Sequence, residues 1–271
     1  MDREIIKSIR SRELLIMRTL IYTCADKKYS HWIPLYCLAM LSNNKDIDIE
    51  IGMEGTLDDN ERTCIKYLRE QYPQSRIVIT ENLFTVHNNR ANFNGFDMLI
   101  NTVRFLSVPT IRDEYVYIGD IDILCMDTDI TKQHISHMNE CGCRYSNILR
   151  PTEKSRMTGL HFSEYDAYYP IPSVDGINLM GNDEQILRIL VERKGLHIDE
   201  NTLFRPVHGI HFSKNRPTVE GDGKLPGWGA ERYRKEWERF SNTEQYKFVY
   251  KNTDESIKAM IEMLNDYYKR S

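Results

Sequence analysis

Short apolar runs that alternate with helix-patterned segments constrain this chain more than any other feature of it. Leu20 to Cys24 is apolar and ends in Ala25-Asp26-Lys27, as a buried strand opening into a loop does. Pro34 to Leu41 follows as a helix, with proline accommodated in its first turn. Ile47, Ile49, Ile51 and Met53 then alternate with Asp48, Glu50 and Gly52, the two-residue period of a strand. Asp58 to Gln71 has a helical period, with Ile65, Leu68 and Tyr72 on one face. A β-rich run, Arg76 to Thr80, comes after the turn signal Tyr72-Pro73. Phe96 to Leu106 reads as a helix that stops before Pro109, and Tyr115 to Gly119 as another buried strand. Strands that alternate with helices in this way imply an α/β fold with a largely parallel sheet between helical layers.

Beyond Gly119 the pattern loosens. Residues 146 to 175 cluster Tyr, Pro and Ser without a sustained period, and Asn182 to Lys194 returns to a helix through Ile186, Ile189 and Leu190. From Glu231 a charged, aromatic stretch leads into a last amphipathic helix with Ile257, Ile261, Leu264 and Tyr268 on one face. Asn252 and Glu255 are spaced as a capping box for it. The chain divides on this reading into residues 1–225, with 1–17 as a helical lead-in, and a helical C-terminal extension over 226–271.

Composition narrows the partners. With 36 Lys and Arg against 40 Asp and Glu, the net charge is −4, which argues against a chain held to nucleic acid by a general positive field. The six cysteines are too few and too irregularly spaced for a disulfide framework, which suggests a reducing, cytoplasmic setting. Arg18 interrupts the early apolar residues where a signal peptide would need them uninterrupted, and no charge-free run is long enough to span a bilayer.

The segment that carries chemistry is Tyr115 to Met126, YVYIGDIDILCM. Two carboxylates inside an apolar stretch are costly unless something compensates them. In extended chain, residues two apart point to the same side, so Asp120 and Asp122 can converge on one point. That point lies at the C-terminal edge of a parallel sheet, where ligands of open α/β sheets bind. A hard divalent cation shared with substrate phosphates is the simplest compensation. The ordinary alternative is a solvated strand end with two unremarkable acids.

At these residues the chain resembles the nucleotide-sugar-dependent glycosyltransferases of GT-A fold, and among them glycosyltransferase family 8. The order of elements matches from about Arg18 to Pro217, although the motifs are few. The resemblance implies a Rossmann-like nucleotide-binding half, a UDP-sugar donor of galactose or glucose type, Mn²⁺ (or Mg²⁺), and transfer to a glycan or lipid-linked acceptor with retention of configuration. It implies that the Cys24 backbone and the Asp26 side chain meet the uracil edge and that Tyr29 stacks on the base. Arg104, in Arg104-Phe105-Leu106-Ser107-Val108-Pro109, takes the place of the family's donor-contacting arginine. Asp183 and Glu184, in Asn182-Asp183-Glu184-Gln185, stand where the family has an Asp-Gln pair at the donor sugar; here Glu replaces Gln. His211, in His211-Phe212-Ser213-Lys214-Asn215-Arg216-Pro217, corresponds to the third metal ligand beside Asp120 and Asp122. Lys214 and Arg216 would neutralise the diphosphate. The family's Gly and Trp are missing from that stretch, and His208 is the alternative third ligand.

Other signals have two readings each. Thr158 and His161, in Arg156-Met157-Thr158-Gly159-Leu160-His161-Phe162, are either acceptor contacts or part of a strand with a turn at Gly159. Asp175-Gly176-Ile177-Asn178 is either a donor-facing loop or a plain turn. His134, His137, Cys141 and Cys143 are either zinc ligands or scattered His and buried Cys, and Cys-x-Cys is tighter than the usual zinc spacing. Trp237 and Tyr233, with nearby Arg and Lys, are either a peripheral membrane contact or part of a solvated helix with internal ion pairs. Two rival functions remain beside the transferase. One is a sugar-phosphate nucleotidyltransferase, disfavoured because Thr23 to Lys28 lacks a Gly-rich loop; the other is a non-catalytic nucleotide-sugar or carbohydrate-binding module.

Overall fold

The computed structural model describes residues 17–212 and 229–270. The strands in chain order are β1 (Thr19–Ala25), β2 (Ile47–Glu54), β3 (Ile77–His87), β4 (Arg90–Phe93), β5 (Phe96–Leu99), β6 (Tyr115–Ile118), β7 (Ile123–Leu124), β8 (Tyr145–Ser146), β9 (Leu149–Arg150), β10 (Glu153–Met157), β11 (His161–Glu164) and β12 (Ile210–His211). Eight of them form one sheet in the order β5-β4-β3-β2-β1-β6-β11-β8. The four central strands, β3, β2, β1 and β6, run parallel, and both edges are antiparallel. The mostly parallel centre flanked by helices and followed by C-terminal helices is the α/β arrangement that the alternating pattern implies.

The helices are α1 (Ile33–Asn43), α2 (Asp59–Gln71), α3 (Val103–Leu106), α4 (Ile130–Cys141), α5 (Tyr165–Tyr168), α6 (Asp183–Arg193), α7 (Arg234–Ser241), α8 (Glu244–Lys251) and α9 (Glu255–Arg270). Asp58 starts α2 with a capping box: its carboxylate accepts from the Glu61 amide, and the Glu61 side chain accepts from the Asp58 amide. α1 is apolar on every side and buried from Ile33 to Leu41, between the sheet and the C-terminal helices.

Several local expectations need correction. Phe96 to Leu106 is not one helix. Asn94 (φ +52°) and Gly95 (φ +82°) turn the chain, so Phe96–Leu99 pairs with β4, and helix begins only at Ile100. Arg76 to Thr80 is the start of a longer strand that reaches His87 and enters that antiparallel edge. The last helix is started by Asp254, whose carboxylate accepts from the Ser256 amide 2.8 Å away; Asn252 instead caps the end of α8 through Phe248 O. Asp48 and Glu50 are buried with the rest of β2. Arg18 and Arg76 pair with Asp48, and the Thr110 and Ile111 amides donate to Glu50, so neither carboxylate is left without partners.

The C-terminal helices share the main core. Trp237 is 1% exposed, with its ring 6.3 Å from Phe212, which in turn lies 5.1 Å from Trp32. Its indole N–H donates to Asn265 Oδ1 at 2.9 Å. A membrane contact through Trp237 is therefore ruled out by its burial, and the Tyr233 hydroxyl is engaged in donating to Asp127. Among the described residues, no helix is long and apolar enough to cross a membrane.

Candidate functional site

The site gathers where the parallel strands β1 and β6 end. Thr23 Oγ1 donates to the Gly119 carbonyl at 2.7 Å, which ties the end of β6 to β1 just ahead of Asp120. The chain then turns through Asp120 and Asp122 into β7, which pairs antiparallel with β12 and places His211 opposite Ile123. Gly209 makes that pairing possible. At φ +88°, a Cβ there would stand 1.9 Å from the Leu124 carbonyl oxygen, so only glycine lets the strands approach. Asp122 O accepts from the Phe212 amide at 2.9 Å. His211 Nε2 consequently lies 3.2 Å from Asp122 Oδ1.

Asp120 points to other partners. Its carboxylate is paired with Arg104, whose guanidinium also reaches Asp183 Oδ2 at 3.2 Å. Burial alone would lower the Arg104 pKa, but Asp120 and Asp183 outweigh it and hold the guanidinium above its ordinary value. Burial raises Asp183, and Arg104 opposes that rise. Asp183 stands in the first turn of α6, where the Asn182 side chain accepts from the Glu184 and Gln185 amides. Glu184 is 8% exposed and is gripped by Arg150, at 2.5 Å from Nε and through a second, shorter bond from Nη2; Arg156 lies 4.0 Å away.

Gly159 is the hub of this network. A Cβ on it would lie 3.3 Å from Arg104 Nη2, 3.5 Å from Glu184 Oε1 and 3.8 Å from Asp120 Oδ2. Thr158, next to it, donates to Asn147 Oδ1 at 2.5 Å and accepts from Arg205 Nε. The structure thus brings together Arg104, Asp120, Asp183, Glu184 and Thr158, with Asp122 and His211 beside them.

Tyr29 lies half-buried at the other end. Burial raises its pKa, and the charges of Asp122, Asp26 and Asp120 raise it further; its side chain lines a small cavity with Trp32 and Phe212, the neighbour of His211. Asp26 shapes the loop by accepting from the Tyr29 amide at 2.9 Å. The Cys24 thiol is pushed up to about 11 by burial, which leaves it a neutral side chain rather than a nucleophile. Lys214 and Arg216 lie outside the described residues.

Two expectations are not met by the side chains. The carboxylate of Asp120 is turned onto Arg104, so Asp120, Asp122 and His211 do not converge as a set. Among the described residues, the one group of three or more His, Cys, Asp or Glu whose donor atoms all lie within 4.8 Å is His31, Asp58 and Glu61. Those three already serve the start of α2: Asp58 and Glu61 form the capping box, and His31 and Ser30 contact Glu61. His161 is fully buried, with its ring 5.4 Å from Tyr145 and 5.0 Å from Tyr168, and no acceptor can reach it there. Burial brings its pKa down to about 3, so it is neutral.

His208, the alternative metal ligand, is committed elsewhere. Its Nδ1 lies 2.9 Å from Asp127 Oδ2 and its Nε2 3.1 Å from His134 Nε2. The chain of contacts continues from His134 through Ser146 to His137 and the Phe204 carbonyl. The Cys141 thiol points at the Met138 and Tyr145 carbonyls, and the Cys143 thiol at those of Cys141 and His197. The supposed zinc donors are therefore the internal hydrogen-bond partners of buried polar groups.

Arg150 and Arg205 are site residues that the sequence pattern did not single out. Both come from irregular segments without a period, and neither belongs to a motif.

No family model and no curated protein matches the chain. Solved structures do. The apo form of the glycosyltransferase GlyE of Streptococcus pneumoniae TIGR4 is 8% identical with a TM-score of 0.48, covering 86% of this chain and 62% of GlyE. An active-site mutant of LgtC is 12% identical with a TM-score of 0.43, covering 85% of this chain and 99% of LgtC. The mannosyltransferase PcManGT from Pyrobaculum calidifontis, in complex with GDP-Man and Mn²⁺, is 11% identical with a TM-score of 0.42, covering 68% of this chain and 55% of PcManGT. In a second GlyE structure this chain spans 44% of the length of its neighbour.

Proposed function

We propose that this chain is a metal-dependent glycosyltransferase that takes a nucleotide-sugar donor. The observation that carries the reading is the juxtaposition at the ends of β1 and β6. Asp122 and His211 lie edge to edge, and Asp120 and Asp183 share the single buried guanidinium of Arg104. The donor set of two carboxylates and an imidazole fits a borderline ion such as Mn²⁺ better than Mg²⁺, which prefers oxygen alone. Asp122 and His211 stand ready as half of that site. Asp120 would join them by swinging from Arg104, which stays paired with Asp183. When bound, the cation supplies charge compensation for a departing nucleoside diphosphate.

The chain's own residues then have distinct tasks. The Asp26 turn holds Tyr29 beside Phe212, the neighbour of His211, where its ring offers a stacking surface for the base. Arg104, released from Asp120, presents N–H groups to the donor sugar and phosphate. Asp183 offers a carboxylate beside the sugar, where positive charge develops as the glycosidic bond breaks. Glu184, pinned by Arg150, orients rather than moves. UDP-galactose or UDP-glucose as donor, retention of configuration, and a role in surface polysaccharide assembly at the inner face of a membrane are the finer parts of the proposal. They rest on the family resemblance.

The test is a donor panel of UDP-, GDP- and TDP-hexoses with release of nucleoside diphosphate as readout, run with Mn²⁺, with Mg²⁺ and with chelator. Turnover is expected with Mn²⁺ and one UDP-hexose, and its loss in Asp122→Asn and His211→Ala. Full activity in an Asp120→Ala/Asp122→Ala double variant would sink the assignment.

A further inference from the structure

Among the described residues, Arg205 carries a charge without an ion-pair partner. Its Nε donates to Thr158 Oγ1 and its Nη1 to its neighbour's carbonyl, Pro206 O, at 2.7 Å. Both partners are neutral, and no carboxylate among the described residues forms an ion pair with it. Every other arginine around the site has one: Arg104 has Asp120 and Asp183, Arg150 has Glu184, and Arg156 has Glu153 and Glu184. A guanidinium partly withdrawn from water without a paired counter-charge is costly, and burial here lowers its pKa to about 10, against the more distant pull of Asp120 and Glu184. Such a cost is met when a ligand brings the anion.

The position identifies the end of the site that the anion would occupy. Tyr29 lines a small cavity with Phe212, the neighbour of His211, and His211 pairs with Asp122. Arg104 joins Asp120 to Asp183, and Gly159 lies against Arg104 and Glu184. Arg150 and Arg156, on the β9–β10 hairpin, pair with Glu184, and Arg205, on the segment leading to β12, bonds Thr158. Tyr29 therefore adjoins the Asp122–His211 side of the site, and Arg205 the Thr158–Gly159 side. If the base and diphosphate lie along the Tyr29–Asp122 half, the arginine end faces the acceptor.

We propose that Arg205, backed by Arg150 and Arg156, forms the binding site for an anionic group on the acceptor sugar, a phosphate or a carboxylate. The inference rests on the transferase reading for the word acceptor, but the anion site itself does not. The guanidinium fork matches either anion with two parallel hydrogen bonds, and Thr158 holds the fork in place.

Calorimetric titration with glucose 6-phosphate, glucuronate and glucose, beside UDP with Mn²⁺, tests it in about 0.15 M salt, where exposed charges are screened. The wild type is expected to bind one or both anionic sugars about tenfold or more tighter than glucose, the scale of one charge-assisted pair. The ratio between the two anions identifies phosphate or carboxylate. Arg205→Gln should erase the preference and leave UDP affinity within about twofold, while Arg205→Lys keeps part of it by charge alone. Circular dichroism of each variant confirms the fold. An absence of anion preference in the wild type overturns the proposal, as does an Arg205→Gln variant that loses UDP instead. Anionic sugar binding without any UDP binding would leave this site standing and bring down the transferase reading.

Discussion

Replacing Arg104 with methionine keeps most of the side-chain volume and its packing on the Phe105 ring, 4.7 Å from the guanidinium, while removing the charge. Asp120 and Asp183 then lose the guanidinium that they share. Taking one partner from a buried pair costs about 3–5 kcal/mol. The Asp120 side chain is 30% exposed and Asp183 13%, so water recovers part of that, and about 2–4 kcal/mol is expected at neutral pH. In a chain of this size that corresponds to a melting temperature lower by about 5–12 °C. The loss should depend on pH. Burial already raises the Asp183 pKa, and without Arg104, which opposes that rise, its folded-state pKa lies further above the unfolded value. Stability tied to a raised carboxyl pKa is full below the unfolded value and lost as pH rises through the folded one. The deficit of Arg104→Met against wild type should therefore be largest near neutral pH and shrink as the solution is acidified. Urea unfolding of both proteins at about pH 7.5 and about pH 4 measures it. A deficit that is equally large in acid would show that packing, not charge, is lost, and an unchanged melting point would refute the pairing itself.

Asp113, 2.8 Å from Arg76 yet close to Asp48, is pushed up to about 6 by burial first and the Asp48 charge second, against the pull of Arg76 and Arg18. Its contribution to stability is present below its unfolded pKa and lost as pH rises through about 6. Asp113→Asn should flatten the pH dependence of the urea midpoint between the ordinary carboxyl range and that value, and identical slopes in both proteins would contradict the assignment. Trp237→Ala removes a ring from the core that α7, α8 and α9 share with α1, and should cost about 3–5 kcal/mol. The unfolding curve should move as one transition when followed by fluorescence and by circular dichroism; a separate early transition would mean that the C-terminal helices unfold on their own.

Parallel strands could be anticipated at β1 and β6 because both faces of each are buried, which writes nearly continuous apolar runs into the sequence, whereas β2 alternates because its buried Asp48 and Glu50 have partners. The Asp120–Asp122 pair stood out for the complementary reason: carboxylates inside such a run are expensive and need a purpose. Phe96 to Leu106 misled because its apolar spacing fits a helix, whereas β4 next to it offered a ladder of hydrogen bonds that the local pattern does not record. His134, His137, His161 and His208 looked available for ligands in the sequence, and burial turned every one of them inward. A one-dimensional pattern carries no information on which of two faces a polar side chain occupies once an element is covered on both.

What the sequence by itself determined is the order of elements, the central parallel sheet and the pair of acids at its edge, because these follow from local periodicity and the cost of burying charge. What only the tertiary structure decided is who meets those acids. His211 reaches Asp122 because Gly209 lets two strands touch, and Arg104 takes Asp120 and Asp183 at once. Arg205 reaches the site from a segment without any pattern, and its lack of an ion-pair partner among the described residues is a property of the assembled neighbourhood. Contacts between residues so far apart along the chain, as Asp122 and His211 are, depend on where the backbone crosses itself in space, which no short window of sequence encodes.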